Sequence, residues 1–197
     1  MLKRAFDFVF SLLGLILLFP FILFISILII LFDGMPVFFT QYRVGLNGKL
    51  FKLFKFRTMK YSAECNKQLA TSNDIRITKL GTKLRLLKID ELPQLFNVLL
   101  GHMSFVGYRP EIPFYVDRYT KEQKEILKYK PGIVDPATLV FSRKENEILS
   151  KSTNIEKDYV EKILPEKISI SLTYAQTATF FTDLKCLLKC FKHLIVK

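Results

Sequence analysis

The stretch Ile89-Asp90-Glu91-Leu92-Pro93-Gln94-Leu95-Phe96-Asn97 sets two carboxylates side by side at the start of a helical pattern. Leu92, Leu95, Phe96 and Leu99 recur at i, i+3, i+4 and i+7, one face of a helix. Pro93 fits only a first turn, where its missing N–H does no harm, and Gly101 marks a stop. The pattern predicts Asp90 at the N-cap and Glu91 in the first turn. The positive end of the helix dipole would keep Asp90 ionised there and would attract a phosphate. An ionised carboxylate beside a phosphate, with a second carboxylate free to hold a metal, suits phosphoryl transfer. The same spacing also fits plain helix capping, which favours Asp and Glu.

Cations flank the pair in sequence. Val37–Gln41 reads as a strand, Asn47-Gly48 as a hairpin turn and Leu50–Arg57 as the return strand. Lys52 reads as a solvated strand residue. Arg43, Lys55 and Arg57 could instead face an anionic ligand, and Arg suits forked phosphate contacts. Residues 60–78 read as a polar surface loop. Lys79–Lys88 reads as a helix with Leu80, Leu84 and Leu87 on one face, and it places Arg85 just upstream of Asp90. After the central helix, Gly101 to Glu111 is a constrained loop carrying His102, Tyr108, Arg109 and Pro110, a common setting for functional groups. His102 alone reads as structural or solvent-facing.

The element that must hold this assembly at its place of work is the uncharged run Phe8 to Phe32. A straight helix over it would be about 37 Å long, enough for a bilayer core of roughly 30 Å. It lacks the short core and small-residue cleavage site of a signal peptide. Pro20 near its middle removes a backbone bond and predicts a kink. Lys3 and Arg4 precede the run and a basic body follows it, so positive-inside reasoning puts both ends on the cytoplasmic side. Residue physics leaves two forms open, a span and a helix that dips in and returns. Asp7 and Asp33 bracket the run, where they could meet basic residues or lipid headgroups.

Lys and Arg total 30 against 18 acids, for a net charge of +12, yet half of the residues are hydrophobic and 19 are Phe. That pairing is unusual in a soluble domain, and it offers nucleic acid, an anionic membrane or a phosphorylated substrate as partners. The apolar run and the lack of a nucleic-acid motif argue against the first. Cys65, Cys186 and Cys190 have no framework or zinc spacing, which fits a reducing compartment.

Asp90 to Leu99, then Gly101, Met103-Ser104-Phe105-Val106-Gly107 and Arg109-Pro110, closely resemble the core motif of the monotopic phosphoglycosyl transferases, also called the bacterial sugar transferase family. Arg43-Val44-Gly45-Leu46, Lys55-Phe56-Arg57-Thr58-Met59 and Pro131-Gly132-Ile133 resemble its flanking motifs. Lys3-Arg4-Ala5-Phe6-Asp7 with the Pro-broken helix resembles its anchor. The resemblance implies an α+β protein: a re-entrant, Pro-kinked membrane helix over residues 1–34 and a mostly helical catalytic domain with a short hairpin over 35–197. It implies an enzyme on the cytoplasmic face of the bacterial inner membrane. That enzyme would move a phosphosugar from a UDP-sugar to undecaprenyl phosphate with release of UMP, the first membrane step of a surface-glycan pathway. Asp90 would be the nucleophile that carries the phosphosugar. Asp90 and Glu91 would hold Mg²⁺, and Lys55, Arg57, Arg85, Arg109 and Pro110 would line the substrate site. His102 stands where the family commonly has Asp, Tyr108 where it commonly has Pro, and Phe19 where it often has Ser. The alternative is a catalytically silent, basic membrane scaffold.

Asp135-Pro136-Ala137 resembles one branch of the family, where Asp135 either shapes the donor pocket or only forms a turn. Glu145 to Ile163 reads as a surface helix broken at Leu164-Pro165, and Lys167 onward as a short strand or a helix start. Thr182-Asp183 predicts the cap of a last helix with Leu184, Leu187, Leu188, Phe191, Leu194 and Ile195 on its apolar face. Lys185, Lys189 and Lys192 flank that face, so the helix either lies in the membrane interface or packs on the body.

Overall fold

The uncharged run forms the interior of one helix, α1 (Leu2–Asp33), with Pro20 inside it. The structure is a computed structural model and describes residues 2–60 and 74–195, with backbone alone for residues 191 and 193–195. Most of the loop predicted over 60–78, Cys65, and the side chains of Phe191, Leu194 and Ile195 lie outside the described residues. The buried residues of α1, namely Asp7, Ser11, Leu15, Ile22, Ile25 and Ile29, are spaced by three, four or seven and so form one stripe. Leu15, Ile22, Ile25 and Ile29 share a core with Val37, Phe56, Leu84 and Leu95. Elsewhere the helix exposes Leu17, Phe19, Phe24, Leu31 and Phe32, among others. Each such side chain forgoes about 1.5–3 kcal/mol if left in water, so the exposed side marks a membrane-bound protein. By length and composition α1 is able to cross a bilayer.

Both ends of α1 are fastened to the body. At the start, Arg4 donates to the carbonyls of Val98 and Leu99 at 2.7 and 2.8 Å. Asp7 accepts from the Ser104 hydroxyl and the Phe105 N–H. At the other end Asp33 accepts from the Thr78 hydroxyl at 2.8 Å. The Asp7 and Asp33 carboxylates thus meet neutral donors of the body.

The hairpin forms as β1 (Phe38–Val44) and β2 (Leu50–Phe56), antiparallel with Phe38 opposite Phe56 and Val44 opposite Leu50. Asn47 and Gly48, both at positive φ, make the turn as predicted. Thr78 caps α2 (Lys79–Leu86), its hydroxyl accepting from the Gly81 N–H at 2.8 Å. Leu87, predicted on the apolar face, lies past the helix and is exposed.

The central helix is shorter than its periodicity suggests. A 3₁₀ turn, Ile89–Glu91, precedes α3 (Gln94–Leu99). Pro93 has no N–H to offer the Ile89 carbonyl, so Leu92 takes that carbonyl at 3.1 Å and tightens the turn. Asp90 therefore sits inside the 3₁₀ turn and is not an N-cap. Six residues of α3 supply little dipole to its start.

Short strands β3 (Ser104–Val106) and β4 (Gly132–Val134) pair in parallel, Ser104 beside Gly132 and Val106 beside Val134. This pairing explains two glycines. A Cβ on Gly107 would sit 2.4 Å from the Lys130 carbonyl oxygen, and one on Gly132 2.1 Å from the Gly107 nitrogen. After α4 (Pro113–Val116), the charged C-terminal segment divides differently from its pattern. Helix α5 (Pro136–Ser150) is followed by a break, then α6 (Ile155–Asp158), a wide π turn (Tyr159–Ile163) and α7 (Leu164–Thr177). Leu164-Pro165 begins a helix and does not end one, because Pro is tolerated in a first turn. In α8 (Phe180–Ile195) the cap is Thr179, which exchanges hydrogen bonds with Thr182. That helix buries Asp183 and Cys186 and exposes Phe181 and Leu188. The whole is α+β and mostly helical, with two two-stranded sheets among the described residues.

Candidate active site

Three elements converge on the carboxylate pair: β2, the 3₁₀ turn, and the loop between β3 and α4. Asn97 of α3 sets the first convergence. Fully buried, it accepts from the Phe54 N–H at 3.0 Å and donates to the Lys52 carbonyl at 2.6 Å. It thereby occupies the open edge of β2 as a third strand would, and fixes the height of Lys55 against the turn. Lys88 at φ 58 turns the chain out of α2 and into the 3₁₀ segment, a left-handed conformation that costs a non-glycine about 1 kcal/mol.

The loop carrying Arg109 is held from both sides. The Gly132 N–H donates to the Tyr108 carbonyl at 2.9 Å. Arg43 donates to the Pro110 carbonyl at 3.0 Å and lies 3.6 Å from Glu111. Glu111, buried, also accepts from the Tyr159 hydroxyl at 2.5 Å, and its backbone carbonyl accepts from Val44. Arg43 and Pro110 are thus braces of this loop.

The two neighbouring carboxylates have different surroundings. Glu91 Oε1 takes Lys55 Nζ at 2.7 Å and Arg109 Nη2 at 3.0 Å. Burial alone would raise the Glu91 carboxyl, but Arg109 and Lys55 outweigh it and hold it well below its ordinary range. Glu91 in turn holds the Arg109 proton more tightly, whereas burial lowers Lys55 against the pull of the same carboxylate. Asp90 is 7% exposed, and among the described residues no group hydrogen-bonds its carboxylate. Burial pushes its pKa above the ordinary 3.8, partly opposed by Lys55 and reinforced by Glu91. Burial, and not a helix dipole, is thus the largest influence on this carboxyl. Lys88 and Arg85 add weaker positive potential at Asp90.

The structure brings Asp90, Glu91, Lys55 and Arg109 together, with Arg85 close enough to act through space. Arg85 Nε donates to the Thr58 hydroxyl at 2.8 Å, which fixes its guanidinium. Arg57 is placed elsewhere: its Nη2 donates to the carbonyls of Asp33 and Gly34 at 2.7 and 2.5 Å, closing the end of α1. The sequence reading let Lys55 and Arg57 both face an anionic ligand, but Arg57 lies just past β2 and turns to the end of α1. Asn97 and Glu111 escaped the sequence reading. A polar residue on the wet side of a helical pattern, and a Glu after Arg-Pro, carry no signal until their partners are placed.

Among the described residues no cluster of three or more His, Cys, Asp or Glu could enclose a metal. The pair nevertheless fits Mg²⁺, which binds through one or two carboxylates and keeps its remaining ligands as waters and substrate phosphates. Asp90 is uncommitted, and the cations on Glu91 both take Oε1.

The bacterial sugar transferase family model matches residues 1–197. A putative undecaprenyl-phosphate N-acetylgalactosaminyl 1-phosphate transferase of Bacillus subtilis (strain 168) is 47% identical over 122 residues, covering 61% of this chain and 68% of that protein. The UDP-glucose:undecaprenyl-phosphate glucose-1-phosphate transferase of Klebsiella pneumoniae is 37% identical over 200 residues, covering 99% of this chain and 40% of that protein. An uncharacterized sugar transferase of Bacillus subtilis, EpsL, is 37% identical over 195 residues, covering 99% of this chain and 88% of that protein. The chain thus spans only two fifths of the Klebsiella protein's length and most of EpsL's.

Proposed function

This chain belongs to the bacterial sugar transferase family, and we propose that it transfers a phosphosugar from a UDP-sugar to undecaprenyl phosphate, with Asp90 as nucleophile. The observation that carries the assignment is the asymmetry of the pair: Glu91 is bound by two cations while the buried Asp90 carboxylate has no hydrogen-bond partner among the described residues. A carboxylate made more basic by burial is the stronger nucleophile of the two.

In the first step an Asp90 oxygen attacks the sugar-bearing phosphorus of the donor. A phosphorus–oxygen bond forms to the carboxylate, and the bond to the bridging oxygen breaks, so UMP leaves with that electron pair. In the second step an undecaprenyl phosphate oxygen attacks the same phosphorus and the Asp90 carboxylate departs. Lys55, Arg85 and Arg109 supply fixed positive charge against the charge gathering on the phosphoryl oxygens. Glu91 keeps Lys55 and Arg109 aimed. Mg²⁺ held by Asp90 and Glu91 would add Lewis-acid neutralisation of the diphosphate. Arg57 and Pro110 act in positioning, Arg57 through the end of α1 and Pro110 through the Arg43 brace.

The anchor in this proposal is re-entrant. A straight helix of 32 residues is about 48 Å long, and its ends would emerge on opposite faces of a bilayer. Here Arg4 and Asp7 at one end, and Asp33 at the other, bind one body. Together with positive-inside reasoning, this supports both ends lying at the cytoplasmic face of the inner membrane. The active site would then meet the phosphate of its lipid acceptor at headgroup level. The reaction would begin assembly of a lipid-linked surface glycan.

The test is UMP release by nanodisc-held protein given a panel of UDP-sugars, undecaprenyl phosphate and Mg²⁺. Release with at least one donor is expected, along with a phosphosugar adduct on the Asp90 peptide by mass spectrometry when the acceptor is withheld. Turnover with no adduct, and with activity retained in Asp90→Asn, would remove the covalent mechanism.

A further inference from the structure

Arg109 borders a second feature, a cleft that it lines with Tyr108, Tyr119, Asp135, Lys167 and Ser171. These residues come from the loop before α4, the stretch after it, the start of α5 and one face of α7. The charged groups of the cleft, Glu111 with its Arg43 and Tyr159 partners among them, are already engaged. Lys167 pairs with Glu145 at 3.2 Å and Arg109 with Glu91 at 3.0 Å. Asp135 accepts from the Ala137 N–H at 3.0 Å, the Thr138 hydroxyl at 3.1 Å and the Ser171 hydroxyl at 3.0 Å. One polar group is left over. The Tyr108 hydroxyl is buried in a residue only 6% exposed and has no hydrogen-bond partner. Buried hydroxyls are nearly always satisfied, so one that is not points to a group still to arrive.

A cleft whose cations are all held by carboxylates, and whose carboxylates already have partners, does not suit a phosphate. It suits an uncharged, hydroxyl-bearing or amide-bearing group. The cleft also shares Arg109 with the carboxylate pair, so one residue touches both the reacting centre and the cleft. We propose that this cleft takes the sugar ring of the UDP-sugar donor, and that the Tyr108 hydroxyl selects the donor by hydrogen-bonding one ring substituent. The proposal rests on the transfer reaction assigned above and adds to it the residue that reads the sugar. Asp135 is a positioning residue here: it orders Ser171 and the start of α5 around the ring.

Tyr108→Phe removes the hydroxyl and nothing else. The experiment measures kcat/KM for UDP-glucose, UDP-galactose, UDP-N-acetylglucosamine and UDP-N-acetylgalactosamine in wild type and variant, together with binding of each donor and of UDP alone by titration calorimetry. Expected is a fall of about tenfold in kcat/KM for the preferred donor, a similar contraction of its lead over the other donors, and unchanged affinity for UDP. Thermal stability is expected to stay level or rise, since the hydroxyl has no partner to lose. Unchanged kcat/KM and unchanged donor ranking in Tyr108→Phe would overturn the proposal and leave the transfer reaction intact. No UMP release from any donor in the wild type, with donor binding still weakened by Tyr108→Phe and UDP binding not, would overturn the transfer reaction and keep the sugar pocket.

Discussion

Two clusters of charge sit at opposite ends of α3, and they are built differently. Beyond its C-terminal end, Arg4 satisfies the carbonyls of Val98 and Leu99, Lys3 bridges the Val106 carbonyl and Asp183, Tyr174 donates to Asp183, and Asp7 takes Ser104 and Phe105. Each charge there has a partner. Before its N-terminal end, Glu91 is equally well satisfied, but Asp90 beside it is not. A buried network with nothing left over holds parts together. One with a single unmatched carboxylate among cations leaves a group free for chemistry, and in the proposed mechanism the substrate completes it. The first cluster fastens the membrane helix to the body, and the second is the proposed place of the phosphate.

Asp90→Asn separates the two roles most sharply. UMP release is expected to fall by on the order of 10³-fold or more, as for the loss of other nucleophiles. Stability is expected to move the other way. An acid whose folded pKa is raised binds its proton more tightly when folded, so at neutral pH its ionised form costs stability. Asn removes that cost, and the melting temperature at neutral pH should stay level or rise. The advantage should fade as pH falls through the raised folded pKa and be gone below the ordinary Asp value of 3.8. A variant that loses activity by unfolding would move Asp90 into the structural class.

Glu91→Gln tests the neighbour with the opposite sign. Its folded pKa is depressed, so its contribution is fully present above the ordinary value of 4.5 and declines as pH drops below it. Denaturant melts at neutral pH should show a loss on the order of 3 kcal/mol, since Lys55 and Arg109 keep their charge without a partner. The gap to wild type should close in acid. Activity should fall by about 10²-fold, the size expected when aimed positive charge is disordered. Equal melting curves at neutral pH would mean that the Lys55–Glu91–Arg109 triad contributes nothing to the fold.

Asp7→Ala probes the satisfied cluster. It strands the Ser104 hydroxyl and the Phe105 N–H, and a loss of about 1–3 kcal/mol is expected. Transfer per folded molecule should stay within a few-fold, read by normalising UMP release to the folded fraction from circular dichroism. A specific loss of turnover at full stability would extend the active site to the far end of α3.

Local chemistry made much of this legible. The carboxylate pair, the hairpin around Asn47-Gly48, the apolar run and Lys55 were readable from residue type and spacing, whereas Arg85 and Arg109 were marked as site residues by the family resemblance. Long-range placement was not. Lys55 and Arg57 look equivalent in sequence, yet one meets Glu91 and the other the end of α1, and only the turn after β2 decides which. The parallel pairing of β3 with β4 joins segments of three residues each, too short to show a period. Asp90 was mistaken for a cap because helical periodicity does not register that Pro93 tightens the preceding turn to 3₁₀.

The smallest effect belongs to a position where the family's common residue carries a charge and this chain does not. His102 is exposed, and its ring stacks on Phe51 with centroids 5.7 Å apart and an interplanar angle of 29°. It makes no hydrogen bond or ion pair with either cluster. Restoring an acid by His102→Asp should therefore cost only the ring contact, about 0.5–1 kcal/mol, and solvent would screen the new charge. UMP release should change by less than about threefold, within the range of an exposed substitution. Donor titrations of the two proteins should overlay. A tenfold gain in turnover, or a stronger dependence on Mg²⁺ in the Asp variant, would mean that the loop beyond α3 reaches the carboxylate pair. The separation of the two clusters would then hold only for the residues now buried in them.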